Sequence, residues 1–355
     1  MEKLLNDLVT LLYCDKTKVM TKKALIVFLT ILAATAYSVQ AQDPTFSQFF
    51  SSPLNVNPAL TGNINGKWRV IGNFRDQWIG PSSPYATGTL SFDTRLFENR
   101  IPEGNTFGVG GMMMYDKAMQ GALKSSYFSL NTSVNITLAE GDATHRLGIG
   151  IGGIYGNKRV DFSKLSFGEQ FNGYGFDTNL PTQEASLANM KPYISTSAGI
   201  LYSITTEYSN LDIGAAGFHM TRPKQSVLND PNQYLAARYV GHVNYETFLN
   251  DELVLNANSI YQRQESTEFI SVGGGLGYFL TGEPDNIVLN IGAWYWLKNA
   301  VIPYIGIMYQ NMQFGLSYDI TVSKLSQAAE KPKSFELSLI IRSSNPKGFI
   351  PCPWK

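Results

Sequence analysis

The chain has 355 residues, and Lys plus Arg equal Asp plus Glu at 28 each. Charged residues make up only 16% and aromatics reach 12%, against about 25% charged in ordinary soluble domains. The balance excludes a basic nucleic-acid footprint and implies a surface that does not meet water everywhere.

Met20-Thr21-Lys22-Lys23 forms a basic start, Ala24 to Ala36 an apolar run, and Val39-Gln40-Ala41 a small-residue site before a cut. Residues 20–41 therefore read as a secretory signal peptide cleaved near Ala41, the apolar run being too short to span a bilayer as a helix. Met20 is the expected start, with residues 1–19 an upstream extension that leaves with the signal if it is translated at all. Cys14 leaves too, so Cys352 stands alone and no disulfide forms within one mature chain. No later stretch approaches the ~20 apolar residues of a membrane helix.

Residues 42–66 come next as an irregular N-terminal arm, periplasmic or docked in a lumen as a plug. Pro53 and Pro58 break it, and each restricts the residue before it. Phe46, Phe49, Phe50, Leu54, Val56 and Leu60 nonetheless give it much apolar surface to bury. It reads as a stabilising arm, a plug or a partner-docking strap.

From Lys67 the pattern has period two. Phe314, Leu316, Tyr318 and Ile320 alternate with Gln313, Gly315, Ser317 and Asp319, and Phe335, Leu337 and Leu339 with Glu336 and Ser338. Successive strand side chains point to opposite faces. Each segment thus has one apolar face and one polar or glycine-rich face, as in a sandwich or a membrane barrel. Segments of about 10–14 residues, aromatics near segment ends (Trp68, Phe74 and Trp78; Trp294, Tyr295 and Trp296) and the signal favour the barrel.

The predicted strands are 67–78, 84–96, 105–116, 121–138, 143–158, 191–205, 208–219, 235–248, 251–264, 267–280, 286–298, 300–310, 311–321 and 334–343. The fold class is therefore all-β: a transmembrane antiparallel β-barrel of about 14 strands over residues 67–343, with 344–355 as a periplasmic C-terminal tail. An even count puts both termini in the periplasm, with long extracellular loops alternating with short turns. The longest loop, 161–190, carries Phe162, Phe167, Phe171, Tyr174 and Phe176. A loop of such length and aromatic content reads as an ordered lid or a partner surface.

Catalysis is not expected. The runs Gly148–Gly153 and Val272–Gly277 lie within alternating segments, where a dinucleotide fingerprint would have to open a helix. They read instead as bends or as room in the lumen. Gly62 to Lys67 is one residue short of a phosphate loop. His145, His219 and His242 are scattered, without ligand spacing, and no Gly-x-Ser-x-Gly elbow occurs. No cofactor is expected. Met112-Met113-Met114 reads as gap-filling wall.

Charges on polar faces point inward. If Val70, Phe74 and Trp78 meet lipid, then Arg69, Arg75 and Gln77 face the lumen, with Asp93, Arg95, Arg146, Lys158 and Lys298 also on polar faces. Such groups pair or line water paths. The predicted pairing joins Arg75 or Arg95 to Asp76, Asp93 or Asp319.

A set of short motifs runs through the first strands. They are Phe46-Ser47-Gln48, then Asn57-Pro58-Ala59 with Gly62, then Arg75 with Gln77-Trp78, then Ser91-Phe92-Asp93. Their order and spacing resemble the PorP/SprF family, outer-membrane proteins of the type IX secretion system in Bacteroidetes. The likeness continues to Ser317-Tyr318-Asp319 and Cys352-Pro353, and Phe49 departs from it where Tyr is usual. The resemblance implies an outer-membrane barrel that supports export or surface anchoring of one large secreted protein, adhesin-like, with a type B C-terminal domain. It also implies a role in gliding motility and contact with the periplasmic machinery, besides the lipid bilayer. The competing expectations are a channel for small solutes and an anchor between the outer membrane and peptidoglycan.

Overall fold

The computed structural model describes residues 43–343, except 81–83, 99, 178, 183–189, 227–231, 282–286 and 328–331. The expected signal peptide and C-terminal tail lie outside the described residues. Fourteen antiparallel strands close into one barrel. They are β1 (Trp68–Ile79), β2 (Tyr85–Leu96), β3 (Thr106–Ala118), β4 (Leu123–Ala139), β5 (Thr144–Val160), β6 (Tyr193–Thr205), β7 (Ser209–Phe218), β8 (Arg238–Asn250), β9 (Leu253–Gln264), β10 (Thr267–Phe279), β11 (Ile287–Trp296), β12 (Ala300–Tyr309), β13 (Met312–Thr321) and β14 (Lys333–Arg342). Each strand pairs with its sequence neighbours, and β14 closes on β1 with Arg75 opposite Glu336. Closure removes the edge amides that lipid could not satisfy.

Burial runs opposite to that of a soluble sheet. On β13, Asp319 is 5% exposed while Phe314 is 46% exposed. Gln313 and Ser317 are buried beside Asp319, whereas Leu316, Tyr318 and Ile320 face out. The same reversal holds on β4, where Ser129, Asn131, Ser133 and Asn135 are buried and Phe128, Leu130, Val134 and Ile136 are exposed. An apolar belt this continuous cannot be a water-facing surface. It is a lipid-facing wall around a polar lumen, and no helix among the described residues is long and apolar enough to cross a membrane.

Two connections dominate one end of the barrel, residues 161–192 between β5 and β6 and 219–237 between β7 and β8. The opposite end is closed mainly by tight turns such as 206–208, 251–252 and 310–311, with 97–105 and 280–286 longer. Barrels of this class carry long loops outside and short turns in the periplasm, so the ends are called outer and inner below.

Several side chains sit differently from the sequence reading. Trp294 was placed in an interfacial girdle but points inward, its ring 4.7 Å from Phe50. The reason is parity, because Trp294 shares the inward face of β11 with Val288. Met112 and Met114 face in and Met113 out, as alternation along a wall strand requires. Lys298 lies past the end of β11 in an exposed turn rather than on a strand face.

Candidate functional site: a strapped lumen beneath aromatic outer loops

The arm lies in the lumen and runs from the outer to the inner end. Its course follows from its sequence. Pro53 opens a four-residue α-helix, Pro53–Val56, where its missing N–H costs nothing. Pro58 forces Asn57 into extended backbone (φ −157°, ψ 123°), so the helix stops there. The Asn57 Oδ1 then accepts from the Ala59 N–H at 2.9 Å and caps the next turn, Pro58–Leu60.

Every buried polar group on this irregular backbone needs a partner, and the wall supplies them from nearly all sides. Glu336 accepts from the Ser47 and Gln48 amides at 2.8 and 3.0 Å. The Gln48 side chain donates to Ser317 and to the Glu336 carbonyl, and accepts from Ser338 at 2.7 Å. Asn73 donates to the Ser51 carbonyl at 2.7 Å. Asn57 donates to the Ile200 carbonyl at 2.9 Å and lies 3.1 Å from His242 Nε2. Asp93 accepts from the Gly62 amide at 2.8 Å.

Shape does the rest. A Cβ at Gly150 would collide with the backbone of Pro58 and Ala59, at Gly108 with Thr61, and at Gly199 with Asn57. Glycines on β3, β5 and β6 thus form a slot for Asn57–Thr61, which explains part of the glycine content of the polar faces. Phe50 is held between Trp294 and Tyr304, 4.7 and 5.4 Å from their ring centres.

Two buried ion clusters built on β1 help to fix the arm. Arg75 reaches Asp319 at 2.7 Å and Glu336 at 3.1 Å, with the Ser47 hydroxyl bonded to both Arg75 and Asp319. Arg69 pairs with Asp93 at 2.9 Å. Of the predicted pairings, Arg75–Asp319 is present. Asp93 goes to Arg69 instead, and Asp76 lies on the outward-facing register of β1. Arg95 donates to the carbonyls of Gly62 and Ile64. Glu336 went unrecognised in sequence. Closure of β1 on β14 is the signal that would have found it, since that closure sets the inward faces of the two strands side by side.

The remaining motif residues divide by face. Phe46, Ser47, Gln48, Asn57, Pro58, Ala59, Gly62, Ser91 and Asp93 are buried. Gln77 is half-buried, while Phe92 and Trp78 are exposed on the outer wall.

At the outer end, Asp43 meets the roots of the two long loops. Its Oδ2 lies 2.9 Å from His219 Nε2 and 3.3 Å from Arg238 Nε, and Ser195 Oγ bonds His219 Nδ1 at 2.8 Å. Burial alone would raise the Asp43 pKa. The neighbouring His219, Arg238 and Lys158 outweigh it and hold the carboxyl well below the usual range. Ser195, His219 and Asp43 form a hydrogen-bonded chain, but Ser195 is fully buried, and its role there is to orient the imidazole.

Above them, the five loop aromatics split. Phe162 and Phe167 are half-buried, whereas Phe171, Tyr174 and Phe176 are exposed on a small hairpin. Phe171 and Phe176 pair across it with ring centres 5.3 Å apart. The Asn172 side chain accepts from the Tyr174 and Gly175 amides, and Gly173 takes φ +92°. Tyr174 at the tip is fully exposed.

These features define an outer-membrane β-barrel whose lumen is strapped by its own N-terminal arm. The model of the family described as "Type IX secretion system membrane protein PorP/SprF" matches residues 38–341, and the chain belongs to that family. It is accordingly an outer-membrane component of type IX secretion. No curated protein matches the chain. Among solved structures, the Ralstonia pickettii toluene transporter TbuX is 13% identical, with 81% of this chain and 92% of that chain covered and a TM-score of 0.42. A Pseudomonas aeruginosa FadL homologue is 12% identical, with 80% and 91% covered and a TM-score of 0.47. CdiB from Acinetobacter baumannii is 7% identical, with 77% and 60% covered and a TM-score of 0.39.

Proposed function

We propose that the barrel supports export or surface anchoring of one large secreted protein with a type B C-terminal domain, and that it receives this protein on its outer loops and does not conduct it. The observation that carries this reading is the filled lumen. Arm residues bond to β1, β2, β6, β13 and β14, so the arm crosses the lumen and occupies space that a chain segment would need. The proposed role is binding, not catalysis, because the hydroxyl of the Ser195–His219–Asp43 chain is fully buried. Exposed aromatics on a hairpin stiffened by its own hydrogen bonds supply contact area at low ordering cost. A solute channel would require the arm to leave first.

Replacing residues 169–177 by a short Gly-Ser turn removes Phe171, Tyr174 and Phe176 while leaving the strands intact. The expected result is loss of surface display of the secreted protein, with barrel levels in the outer membrane unchanged. Normal display from that variant would remove the loop from the account.

A further inference from the structure

The charged partners that clamp Asp43 belong to the wall, while Asn55 of the arm accepts from Arg238 beside them. His219 follows β7 and Arg238 opens β8, so they are the two roots of the 219–237 loop. Tyr193 and Ser195 open β6 at the root of the 161–192 loop. Ser195 fixes the imidazole through Nδ1 at 2.8 Å, and the Tyr193 ring packs against it at 5.9 Å. Phe218 lies under the Arg238 guanidinium at 4.3 Å. His219 is held at φ +54°, a conformation uncommon for a residue other than glycine.

The tethered Asp43 fits this clamp poorly. Its Oδ2 takes both wall contacts, while its Oδ1 has no hydrogen-bond partner among the described residues. Arg238 Nη1 and the Tyr193 hydroxyl, both on side chains more than nine-tenths buried, also lack one. The contact from Arg238 Nε spans 3.3 Å without hydrogen-bond alignment. A carboxylate well placed at a guanidinium makes two parallel bonds; Asp43 does not, and Arg238 Nη2 goes instead to the backbone and side-chain oxygens of Asn55 on the arm, each at 3.1 Å. A cavity of about 30 Å³ lined by Asp43, Tyr127, His219 and Arg238 lies alongside, enough to seat one small polar group.

We propose that this clamp is a carboxylate receptor open toward the outer mouth, with Asp43 as its resident, tethered occupant. A carboxylate from an extracellular chain segment exchanges with Asp43 there, either an acidic side chain or a chain end. Exchange frees only residues 43–45, which are half-buried. The rest of the arm stays, held by Ser47, Gln48, Asn57 and Gly62. The receptor deepens the loop reading, because it lies at the roots of the same loops, and it rests on that reading only for the identity of the segment.

The test uses the full chain purified in detergent. Asp43→Ala is expected to melt roughly 5–10 °C below the parent, since it leaves the buried Arg238 without its carboxylate, though still bonded to Asn55. Sodium formate should restore at least half of that loss and sodium chloride at equal ionic strength none. Adding Arg238→Gln should abolish the formate effect. No rescue, or equal rescue by chloride, overturns the receptor.

A second measurement does not depend on that variant folding. A fluorophore is placed at Thr45→Cys in a chain whose own cysteines are serine. A short peptide with a free C-terminal carboxylate should shift its emission toward that of exposed dye, and the C-terminal amide of the same peptide should not. Equal effects of acid and amide overturn exchange by a chain segment. Neither readout uses the secreted protein, so the receptor and the loop reading fail separately.

Discussion

Replacing Arg75 by methionine is expected to destabilise the barrel by about 3–5 kcal/mol, the cost of leaving buried carboxylates without their cation. Arg75 is 2% exposed, and Asp319 and Glu336 beside it are also buried. Its loss leaves both carboxylates without a cation and takes a donor from the Ser47 hydroxyl, so the arm loosens along with the wall. The loss of heat-resistant, compact migration on gels at a lower temperature measures the effect. Neutralising the whole cluster, with Asp319→Asn and Glu336→Gln added to Arg75→Met, should recover part of the stability, because the stranded charges go with their partner, although Glu336→Gln gives up one of the two oxygens that accept the Ser47 and Gln48 amides. A triple variant no better than the single one would show that Arg75 acts through something other than these carboxylates.

Deleting residues 43–62, and with them the arm from Asp43 through Gly62, is expected to turn a closed barrel into a conducting one. The wall behind the arm carries many polar groups besides its aromatic and aliphatic ones: Asn73, Thr89, Ser129, Asn131, Asn244, Asn256, Asn258 and Gln262 are all buried facing inward. Once the apolar face of the arm is gone, such a wall holds water. Planar bilayers should record no stable current from the intact protein and discrete openings from the deletion variant. Equal currents from both would mean that the arm does not block the lumen. No current from either would mean that the wall collapses without it.

Much of this architecture was legible in the sequence, and physics explains what was not. A strand repeats every two residues, so fourteen segments of alternating polarity sufficed to place fourteen strands, each within a few residues of its observed bounds. The arm has no period. Its prolines and aromatics announced that it must dock, yet its course depends on wall residues far off in sequence, such as Gly150, Gly199 and Glu336. Arg75 was read correctly as inward and acid-paired because strand parity alone decides that. Glu336 was missed because its partner strand is the last of the chain, and only barrel closure brings it to the first. Trp294 was assigned to an interfacial girdle on residue type, whereas its even position on β11 already placed it on the lumen face. Two of the three histidines look unconnected in sequence because partners come from the arm, Asn57 for His242 and Asp43 for His219, while His145 bonds Tyr202 of the wall. Exposure of Phe171, Tyr174 and Phe176, as against Phe162 and Phe167, rests on a local hairpin that aromatic content could not foreshadow.

The most direct measurement is gentle purification of the tagged barrel from its own outer membrane, with and without residues 169–177, followed by mass spectrometry of what remains bound. One large secreted protein is expected to co-purify through its C-terminal domain with the intact barrel, and to be absent from the loop variant. Recovery of the intact barrel alone, together with single-channel currents from that same preparation, would contradict the account and make the protein a channel for small solutes.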